Sequence, residues 1–552
     1  MERPLDLLLL TDEVTDAETN KFTRANFLVF VASAHELGFA AADDAAVRER
    51  FKLREYWVSP KDRAQAGFMD PFGFVMPHRP SLALCDLATV AKREGYSAVV
   101  VDNFLRYAFR QEQARRIIEA GKPRLIGIST TLIVSNKAIQ EFIAIVRELS
   151  PTSRIVLGGP TVRREDTVHA LADFCVFGAG EGPIVGILEA LDGKRSLDSV
   201  PYLAYRDDAG TMCYTDTARQ HFAQLGKAYR IQPDTRIPVP DWTLYPRSSD
   251  SVYPIEFSRG CKYNCFYCGY DRGKLVRDLD EVRAELLKNA ALGIRKYRFG
   301  DSNFTDGPPS YPRYPHDVCK LMIELDLGLE WSCYARVDDL TPELADLMKR
   351  AGCFGVFFGV ESGDDRILKL MRKGHDVEDA RKGIRVAKSA GLYVHSNFII
   401  GYPGETAETC DNTIAFIEST GADTITIGQF FAEDHTPVRG PAMAAFNLQG
   451  AATTWSHSTM DSATADGLIR KALARLNGSG VTIGSEYEIA GMMAVGLSFE
   501  ECLRTFALRR QVMSRGAPPD QRKAAREWLR DLYTERFPKM IAGEQRLMTG
   551  AG

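Results

Sequence analysis

Three cysteines lie within eight positions of one another, at Cys261, Cys265 and Cys268. Three thiolates spaced C-x3-C-x2-C on one loop can hold three irons of a [4Fe–4S] cluster and leave the fourth iron open. A zinc loop and three unrelated core cysteines are the alternatives. Zinc takes four protein ligands in a structural site, or His and carboxylate partners in a catalytic one, and no fourth Cys or His lies nearby in the sequence. The spacing therefore predicts a cluster with these three cysteines as its ligands.

The rest of the composition bounds the class of protein. The other eight of the eleven cysteines are scattered singly through apolar stretches, which is typical of a reducing compartment. The 552 residues carry a net charge of −4, which disfavours nucleic acid or an anionic membrane as a partner. At ~150 residues per domain, this length predicts three or four domains. There is no secretory signal and no apolar run near the ~18 residues of a membrane span, so we expect a cytoplasmic protein.

Residues 1–200 alternate strand-like and helix-like patterns, interrupted by an insertion at about 11–80 to which the sequence gives no function. Apolar runs that alternate with amphipathic helices predict parallel strands in a doubly wound, Rossmann-like α/β domain. Such sheets bind ligands at the carboxyl ends of their strands. Three segments of mostly small residues fall at these predicted ends, namely Ser129–Thr131, Gly158–Gly159 and Gly180–Glu181.

A second alternating region occupies residues 251–435, after a connector at 201–250 that we expect to be small and irregular. Its predicted strands are Ile255–Ser258, Tyr297–Asp301, Trp331–Arg336, Gly355–Glu361, Tyr393–Gly401 and Thr424–Phe431. Six βα units at this spacing are typical of a partial (β/α)6 barrel of the TIM type, with its chemistry at the carboxyl ends of the strands. The strand signal then fades, and a helical C-terminal domain is predicted over 436–552.

The three-cysteine motif, which follows a barrel strand and has Tyr267 before its last cysteine, resembles the radical S-adenosylmethionine (SAM) superfamily. The resemblance implies that SAM chelates the open iron and that an electron from the reduced cluster cleaves SAM to a 5′-deoxyadenosyl radical. A cluster and SAM together supply radical chemistry that side chains cannot. The resemblance covers about residues 253–431.

Segments at the later predicted strand ends also resemble that superfamily, in the parts that contact the amino group, carboxylate, ribose and adenine of SAM. The SAM-binding residues that the resemblance implies are Tyr267, Gly300, Asp301, Ser302, Arg336, Glu361, Ser362, Gly401 and Pro403. Two side chains keep a structural alternative. Arg336 is equally suited to an ion pair within the protein, and Glu405 to stabilising the start of the helix that follows it.

The N-terminal region resembles the cobalamin-binding domains that precede many radical SAM domains. The cobalamin-binding residues so implied are Ser129, Thr130, Thr131, Gly158, Gly159, Gly180 and Glu181. Small residues let a large planar cofactor approach the backbone closely. The D-x-H-x-x-G motif that supplies a lower axial histidine is missing, as in many radical SAM members that bind cobalamin. A domain that binds nothing, or another nucleotide, is the alternative.

The resemblance implies a cobalamin-dependent radical SAM enzyme. We expect it to methylate an unactivated carbon of a small-molecule or peptide substrate with SAM and methylcobalamin. Cyclisation, rearrangement or non-radical methyl transfer with the same cofactors stays open, as does a radical SAM enzyme without cobalamin. A binding protein on a retired barrel is the alternative outside enzymology, but the intact cysteines argue against it. We further expect an electron donor such as flavodoxin or ferredoxin, and a monomeric chain.

Overall fold

The computed structural model of the chain describes most of residues 4–11, 80–222, 236–245, 252–433 and 436–484, and shorter stretches from 489 to 528. A few single positions within 103–107, 132–135 and 165 are outside it. The predicted insertion at about 11–80 lies almost wholly outside the described residues, so the structure does not address it.

The N-terminal residues form a seven-stranded sheet in the order β2-β1-β3-β4-β5-β6-β7. Its strands are β1 (Leu7–Thr11), β2 (Ala98–Val101), β3 (Leu125–Ser129), β4 (Arg154–Gly158), β5 (Phe174–Val176), β6 (Leu203–Arg206) and β7 (Met212–Tyr214). Its helices are α1 (Leu82–Arg93), α2 (Ala108–Gly121), α3 (Asn136–Leu149), α4 (Pro160–Arg164), α5 (Glu181–Leu191) and α6 (Asp216–Phe222). Strands β1–β5 are parallel, which confirms the Rossmann-like prediction.

Strand β1 shows why this sheet is apolar on both faces. Leu7 and Leu9 belong to one hydrophobic core, whereas Leu8 and Leu10 belong to a second core on the opposite face. Successive side chains of a strand point to opposite faces, so a strand covered by helices on both sides needs an unbroken apolar run. The sequence Leu-Leu-Leu-Leu at this position meets that requirement.

The prediction of an irregular connector over 201–250 is wrong for the first part of that range. Strands β6 and β7 extend the sheet antiparallel from β5, and α6 follows them. The strands have only four and three residues, too few for a periodic pattern to stand out in the sequence. The turn between them is stabilised by Asp207, whose carboxylate accepts from the backbone N–H of Thr211 at 2.8 Å.

The second region is a six-stranded sheet in the order β8-β11-β12-β13-β14-β15, parallel throughout. Its strands are β8 (Tyr253–Ile255), β11 (Lys296–Phe299), β12 (Glu330–Ala335), β13 (Cys353–Glu361), β14 (Tyr393–Ile400) and β15 (Thr424–Gln429). The helices are α7 (Leu279–Ala291), α8 (Tyr314–Leu325), α9 (Pro342–Arg350), α10 (Asp365–Leu370), α11 (Val377–Ser389) and α12 (Ala407–Thr420). The predicted partial barrel of six βα units is confirmed.

The first barrel strand is shorter than predicted. Strand β8 ends at Ile255, and the next residues form a separate strand, β9 (Ser258–Arg259), that pairs antiparallel with β10 (Leu275–Val276). The change of partner separates what the sequence presents as one apolar run. The cysteine motif is therefore carried by a β-hairpin loop rather than by the direct continuation of a barrel strand.

The C-terminal region is helical only in part, which corrects the prediction. Three short antiparallel strands come first, β16 (Gln449–Ala451), β17 (Thr454–His457) and β18 (Met460–Asp461). Helices α13 (Ser462–Gly478) and α14 (Phe499–Met513) follow them. Much of this small sheet is polar or exposed, so its residues lack the apolar alternation by which strands are predicted.

The two sheets share one hydrophobic core. The larger core cluster contains Leu84 of α1, Trp242, and Phe299 of β11, each with no exposed surface. A shared core of this kind fixes the two domains against each other more firmly than a polar interface would. Among the described helices, none combines the length and the apolar content that a membrane span requires.

Candidate functional site

The three cysteines lie on the hairpin loop between β9 and β10. The chain turns at Gly260, just before Cys261. Gly260 has a φ of 77°, a left-handed conformation that favours glycine. The backbone N–H of Cys261 donates to the carbonyl of Asp271 at 3.0 Å, and the N–H of Gly273 donates back to the carbonyl of Cys261 at 3.1 Å. These two bonds close the base of the loop.

One guanidinium holds the remainder of the loop. Arg272 donates from Nη1 to the carbonyl of Tyr263 at 2.7 Å, and from Nη2 to the carbonyls of Cys265 and Cys268 at 2.9 and 3.0 Å. The charge of this cation acts to lower the pKa of Cys268, against the larger effect of burial. No signal in the sequence distinguishes Arg272 from an ordinary surface arginine.

The three thiols are largely removed from water. Cys265 is 6% exposed, and burial raises the pKa of Cys268 to about 11 and the pKa of Cys261 above its ordinary value. Repulsion from the neighbouring cysteines adds to both shifts, so the sulfurs are near enough to feel one another's charge. Because a metal ligand must be a thiolate, binding at this loop would release protons.

Among the described residues, no group of three Cys, His, Asp or Glu side chains converges on a point suited to a single metal ion. A [4Fe–4S] cluster makes a different demand, since each thiolate binds its own iron of a larger cage. The C-x3-C-x2-C spacing in the sequence is compatible with such a cluster.

Arg336 lies beside the cysteine loop at the end of β12. Its guanidinium stacks on the ring of Tyr263 at 3.6 Å, and Nη1 lies 3.9 Å from Sγ of Cys265. Nη2 makes an ion pair of 2.8 Å with Asp338 and donates to the carbonyl of Lys373 at 2.6 Å. The structure therefore realises the structural ion pair named as an alternative in the sequence. A contact with a SAM carboxylate stays a prediction.

The segment after β11 anchors the hairpin to the barrel. Asp301 is 1% exposed, and its carboxylate accepts from the backbone N–H of Phe257 at 3.2 Å and from the hydroxyl of Ser258. Ser302 donates its hydroxyl to the carbonyl of Gly260 at 2.5 Å. Burial raises the pKa of Asp301. Both predicted SAM residues thus hold the start of the cysteine loop in place.

A buried ion pair that the sequence did not single out lies next to this anchor. Nζ of Lys274 lies 2.7 Å from the carboxylate of Asp306 and donates to the carbonyl of Asn303 at 2.6 Å. Both charged side chains are almost fully buried. Cys261 feels the charge of each of them, so this pair shapes the electrostatic field at one of the three thiols.

Tyr267, Glu361 and Lys373 form a buried triad. The hydroxyl of Tyr267 donates to Oε1 of Glu361 at 2.9 Å. Nζ of Lys373 donates to that hydroxyl at 2.9 Å and to the same Oε1 at 3.1 Å. Burial and the neighbouring carboxylate raise the pKa of Tyr267, so the phenol stays protonated. The triad joins the cysteine loop to the end of β13, and Lys373 was missed by the sequence analysis.

The backbone at the end of β13 is arranged around this triad. Glu361 has a φ of 74°, which is unusual for a residue with a side chain. A Cβ added to Gly359 would lie 2.4 Å from Oε1 of Glu361, so glycine leaves the space that the carboxylate occupies. Ser362 faces the other way, and its hydroxyl contacts that of Thr413 on α12 at 3.2 Å.

Gly401 and Pro403 form a tight turn after β14. Gly401 has a φ of 97°, and its N–H donates to the fully buried carboxylate of Glu405. Burial raises the pKa of Glu405 to about 7. Glu405 therefore holds the turn itself, rather than only the start of α12 as the alternative proposed.

An aromatic pair from the C-terminal sheet covers this turn. Trp455 packs over Gly401 so closely that a Cβ there would lie 2.6 Å from the indole ring. His457 stacks on Trp455 with the ring planes 6° apart, and its Nε2 lies 3.0 Å from the carbonyl of Gly401. Burial lowers the pKa of His457, which keeps the imidazole neutral. The C-terminal region thus supports the turn predicted to contact adenine.

The predicted cobalamin residues lie at the carboxyl ends of β3 and β4. The hydroxyls of Ser129 and Thr131 form a hydrogen bond of 3.0 Å. Thr130 donates its hydroxyl to the carbonyl of Gly158 at 2.9 Å. Within the part of the chain that the structure describes, a Cβ added to Gly158 would have no atom within 4 Å, so among these residues this strand end faces open space. Gly159, with a φ of 108°, is packed against Thr130 and Thr131.

The third predicted segment, Gly180–Glu181, begins α5 and faces the cysteine hairpin. A carboxylate oxygen of Glu181 lies 2.6 Å from Nη1 of Arg259, two residues before Cys261. The structure therefore brings the start of α5 next to the hairpin that carries the cysteine loop. Arg259 was not among the residues predicted from the sequence.

Two family models match this chain. The B12 binding domain model matches residues 79–188, and the radical SAM superfamily model matches residues 255–417. The chain therefore carries a segment that matches the B12 binding domain, followed by a segment that matches the radical SAM superfamily. It is an enzyme, and its relatives include methyltransferases.

Two relatives show which kinds of enzyme this sequence is similar to. An uncharacterized methyltransferase of Pyrococcus horikoshii is 28% identical over 358 residues, which cover 62% of this chain and 74% of that protein. The anaerobic magnesium-protoporphyrin IX monomethyl ester cyclase of Rubrivivax gelatinosus is 27% identical over 343 residues, which cover 59% of this chain and 60% of that protein. The match thus extends to enzymes of more than one reaction type.

Among solved structures, the fold resembles that of the radical S-adenosylmethionine methyltransferase TsrM from Kitasatospora setae. The structure with tryptophan and a SAM analogue has a TM-score of 0.62 at 17% identity and covers 94% of this chain and 99% of that chain. The structure with cobalamin and a [4Fe–4S] cluster has a TM-score of 0.54 at 17% identity and covers 81% of this chain and 76% of that chain. At this identity the likeness concerns the fold.

Proposed function

We propose that this chain is a cobalamin-dependent radical SAM methyltransferase that uses a [4Fe–4S] cluster, SAM and cobalamin. The observation that carries the proposal is the contact between Arg259 and Glu181, because it brings the hairpin of Cys261 to the edge of the B12 binding domain. Methyl transfer from cobalamin requires the two cofactors to face one substrate. A retired barrel would have no need to keep three clustered thiols beside this edge.

The residues present fit the three cofactors. The largely buried thiols of the hairpin suit a cluster, and the triad around Glu361 offers polar groups to SAM. The open space at Gly158 suits a flat ring that must lie close to the backbone. When bound, the cluster supplies the electron that cleaves SAM, and cobalamin carries the methyl group.

The chain's own residues bind and orient. Cys261, Cys265 and Cys268 would hold the cluster, with Arg272 fixing the loop between them. Tyr267 and Glu361 would contact SAM, and Lys373 holds these two groups together. Ser129 and Thr131 would donate hydroxyls to the cobalamin edge, next to the backbone at Gly158.

We expect the acceptor to be an unactivated carbon of a small molecule or a peptide. TsrM supports this substrate class, since tryptophan is its substrate in the solved structure. An electron donor such as flavodoxin or ferredoxin is expected in addition, because the cluster must be reduced before SAM is cleaved. That the chain acts as a monomer in the cytoplasm stays a prediction.

Cyclisation is the second candidate reaction, because of the sequence match to the cyclase of Rubrivivax gelatinosus. The two reactions differ in the fate of the methyl group, since a cyclase transfers none to its substrate. Incubating the loaded enzyme with SAM that carries a deuterated methyl group separates them without knowledge of the substrate. Label appearing on the bound cobalamin supports methyl transfer, and an unlabelled cobalamin with continued formation of 5′-deoxyadenosine favours cyclisation.

A further inference from the structure

Arg259 connects the two domains through a four-membered charge cluster. Its Nη1 lies 2.6 Å from the carboxylate of Glu181, Nη2 lies 3.2 Å from Asp86, and Nε lies 2.7 Å from Glu256. Asp86 lies on α1 and Glu181 begins α5, so both belong to the B12 binding domain. Glu256 belongs to the barrel, three residues before the arginine.

This cluster places several charged groups in a largely buried position. Arg259 is 20% exposed at its side chain, and Asp86 only 2%. Three carboxylates share one guanidinium, and burial raises the pKa of Asp86 well above its ordinary value and that of Glu256 to about 7. Buried ionic groups of this kind contribute little net stability but fix one arrangement of their partners. Stability alone therefore does not account for the cluster.

The position of Arg259 couples the cluster to the cysteine loop. Arg259 is the last residue of β9, and only Gly260 separates it from Cys261. The carbonyl of Gly260 is held by the hydroxyl of Ser302 at 2.5 Å, which leaves little freedom between the arginine and the first thiol. Arg259, which α1 and α5 hold by its guanidinium, and the first thiol therefore lie two residues apart on one short segment with little freedom of its own.

We propose that Arg259 is a positioning residue that sets the separation between the cysteine loop and the cobalamin edge of the B12 binding domain. The inference rests on the proposed function, in that both cofactors must be bound for the separation to matter. Glu181 and Asp86, in the B12 binding domain, hold the guanidinium of Arg259. Nη1 donates a hydrogen bond to Glu181, and Nη2 donates one to Asp86. Glu256 holds the same guanidinium from its own domain and does not cross the interface.

This arrangement provides a matched set of variants. Glu181→Gln and Asp86→Asn each replace a carboxyl group of the B12 binding domain with an amide, whereas Glu256→Gln makes the same replacement in the barrel. All three touch the same guanidinium and preserve side-chain volume. A purely structural role predicts similar effects for the three variants, and a positioning role predicts effects only for the first two.

The test measures the magnetic coupling between cob(II)alamin and the reduced cluster by pulsed electron paramagnetic resonance of the holoenzyme, with iron and cobalamin contents determined on the same samples. We expect Asp86→Asn to keep both cofactors but to lose the single defined coupling of the wild type, Glu181→Gln to lose that coupling as well, and Glu256→Gln to retain it. An unchanged coupling in all three variants, or an equal loss in all three, would overturn the positioning role. A wild type that binds no cobalamin would instead contradict the proposed function.

Hydrogen–deuterium exchange of the chain without cofactors supplies a second readout. Residues 181–191 of α5 and the loop at 260–268 should exchange faster together in Glu181→Gln, and neither should change in Glu256→Gln. Faster exchange confined to α5 would show that the interface loosens without moving the loop, and it would overturn the inference even where the cofactors are bound.

Discussion

The hydroxyl of Tyr267 donates a hydrogen bond of 2.9 Å to Oε1 of Glu361, across 94 residues of sequence. This bond joins the cysteine loop to the end of β13, the fourth strand of the barrel sheet in chain order. Lys373 contacts both groups, so the pair is held by a third residue that was not identified from the sequence. The relative position of two predicted SAM contacts is thus set by a buried cation.

Lys373→Met should weaken SAM binding with little effect on the cluster. Loss of the cation leaves a buried carboxylate and phenol without their shared donor, which costs about tenfold or more in affinity. Titration calorimetry of SAM with the cluster-loaded enzyme measures the effect. Lys369→Met, an exposed lysine on α10, is the control and should bind SAM like the wild type. Equal affinities for all three proteins would contradict the role of the triad.

Cys265→Ala should abolish iron loading, because the remaining two thiolates cannot hold three irons of a cluster. Cys319→Ala removes a thiol that is equally buried but packs within the core on α8, and it should load iron normally. Iron and sulfide analysis after anaerobic reconstitution distinguishes the two. Retained 5′-deoxyadenosine production in Cys265→Ala would refute the assignment of the cluster ligands.

Gly158→Leu should block cobalamin without loss of iron. The strand end at Gly158 faces open space, so the new side chain occupies the volume that the ring requires. Gly159 is a poorer choice, because a Cβ there would lie 2.9 Å from atoms of Thr130 and Thr131 and would strain the fold itself. Gly467→Leu, also facing open space but on α13, is the control. Cobalamin bound equally by both variants would count against Gly158 as part of the cobalamin site.

The stability of the fold should depend on pH through Glu405. Burial raises its pKa from the ordinary value of about 4.5 to about 7, so the folded state binds a proton more tightly than the unfolded chain does. The free energy of unfolding should therefore fall as the pH rises through this window and level off above it, by on the order of 3 kcal/mol from this group. Glu405→Gln keeps an acceptor for the N–H of Gly401 and should remove that part of the dependence. Urea denaturation at about pH 5 and about pH 8 measures it, and a wild-type slope unchanged in the variant would refute the assignment.

The parts of the fold with strong local patterns were predictable from the sequence. The apolar run of β1 and the apolar strands of the barrel each carry a signal that spans several residues, and the cysteine spacing is specific by itself. Strands β6, β7 and β16–β18 have two to four residues, and several are partly exposed, so no periodicity identified them. The break after β8 depends on which strand Ser258 pairs with, which is a tertiary choice.

The site residues that could not be predicted from the sequence were missed for one physical reason. Arg259, Lys373, and the pair of Lys274 and Asp306 act through partners that are distant in the sequence, and as single charged residues they look like a solvated surface. The predicted residues, in contrast, follow strand ends or share one loop, where position along the chain determines position in space. Glu181 and Ser362 show the limit of that reasoning, because their side chains turn toward Arg259 and Thr413.

The central claim is that one chain binds two cofactors at facing edges, and anaerobic purification with cobalamin supplied tests it most directly. Iron, sulfide and the visible spectrum are measured on one sample of the wild type. The account predicts about four irons per chain together with a stoichiometric corrin spectrum. Iron without corrin would leave a radical SAM enzyme whose N-terminal domain has another task, and it would contradict the account.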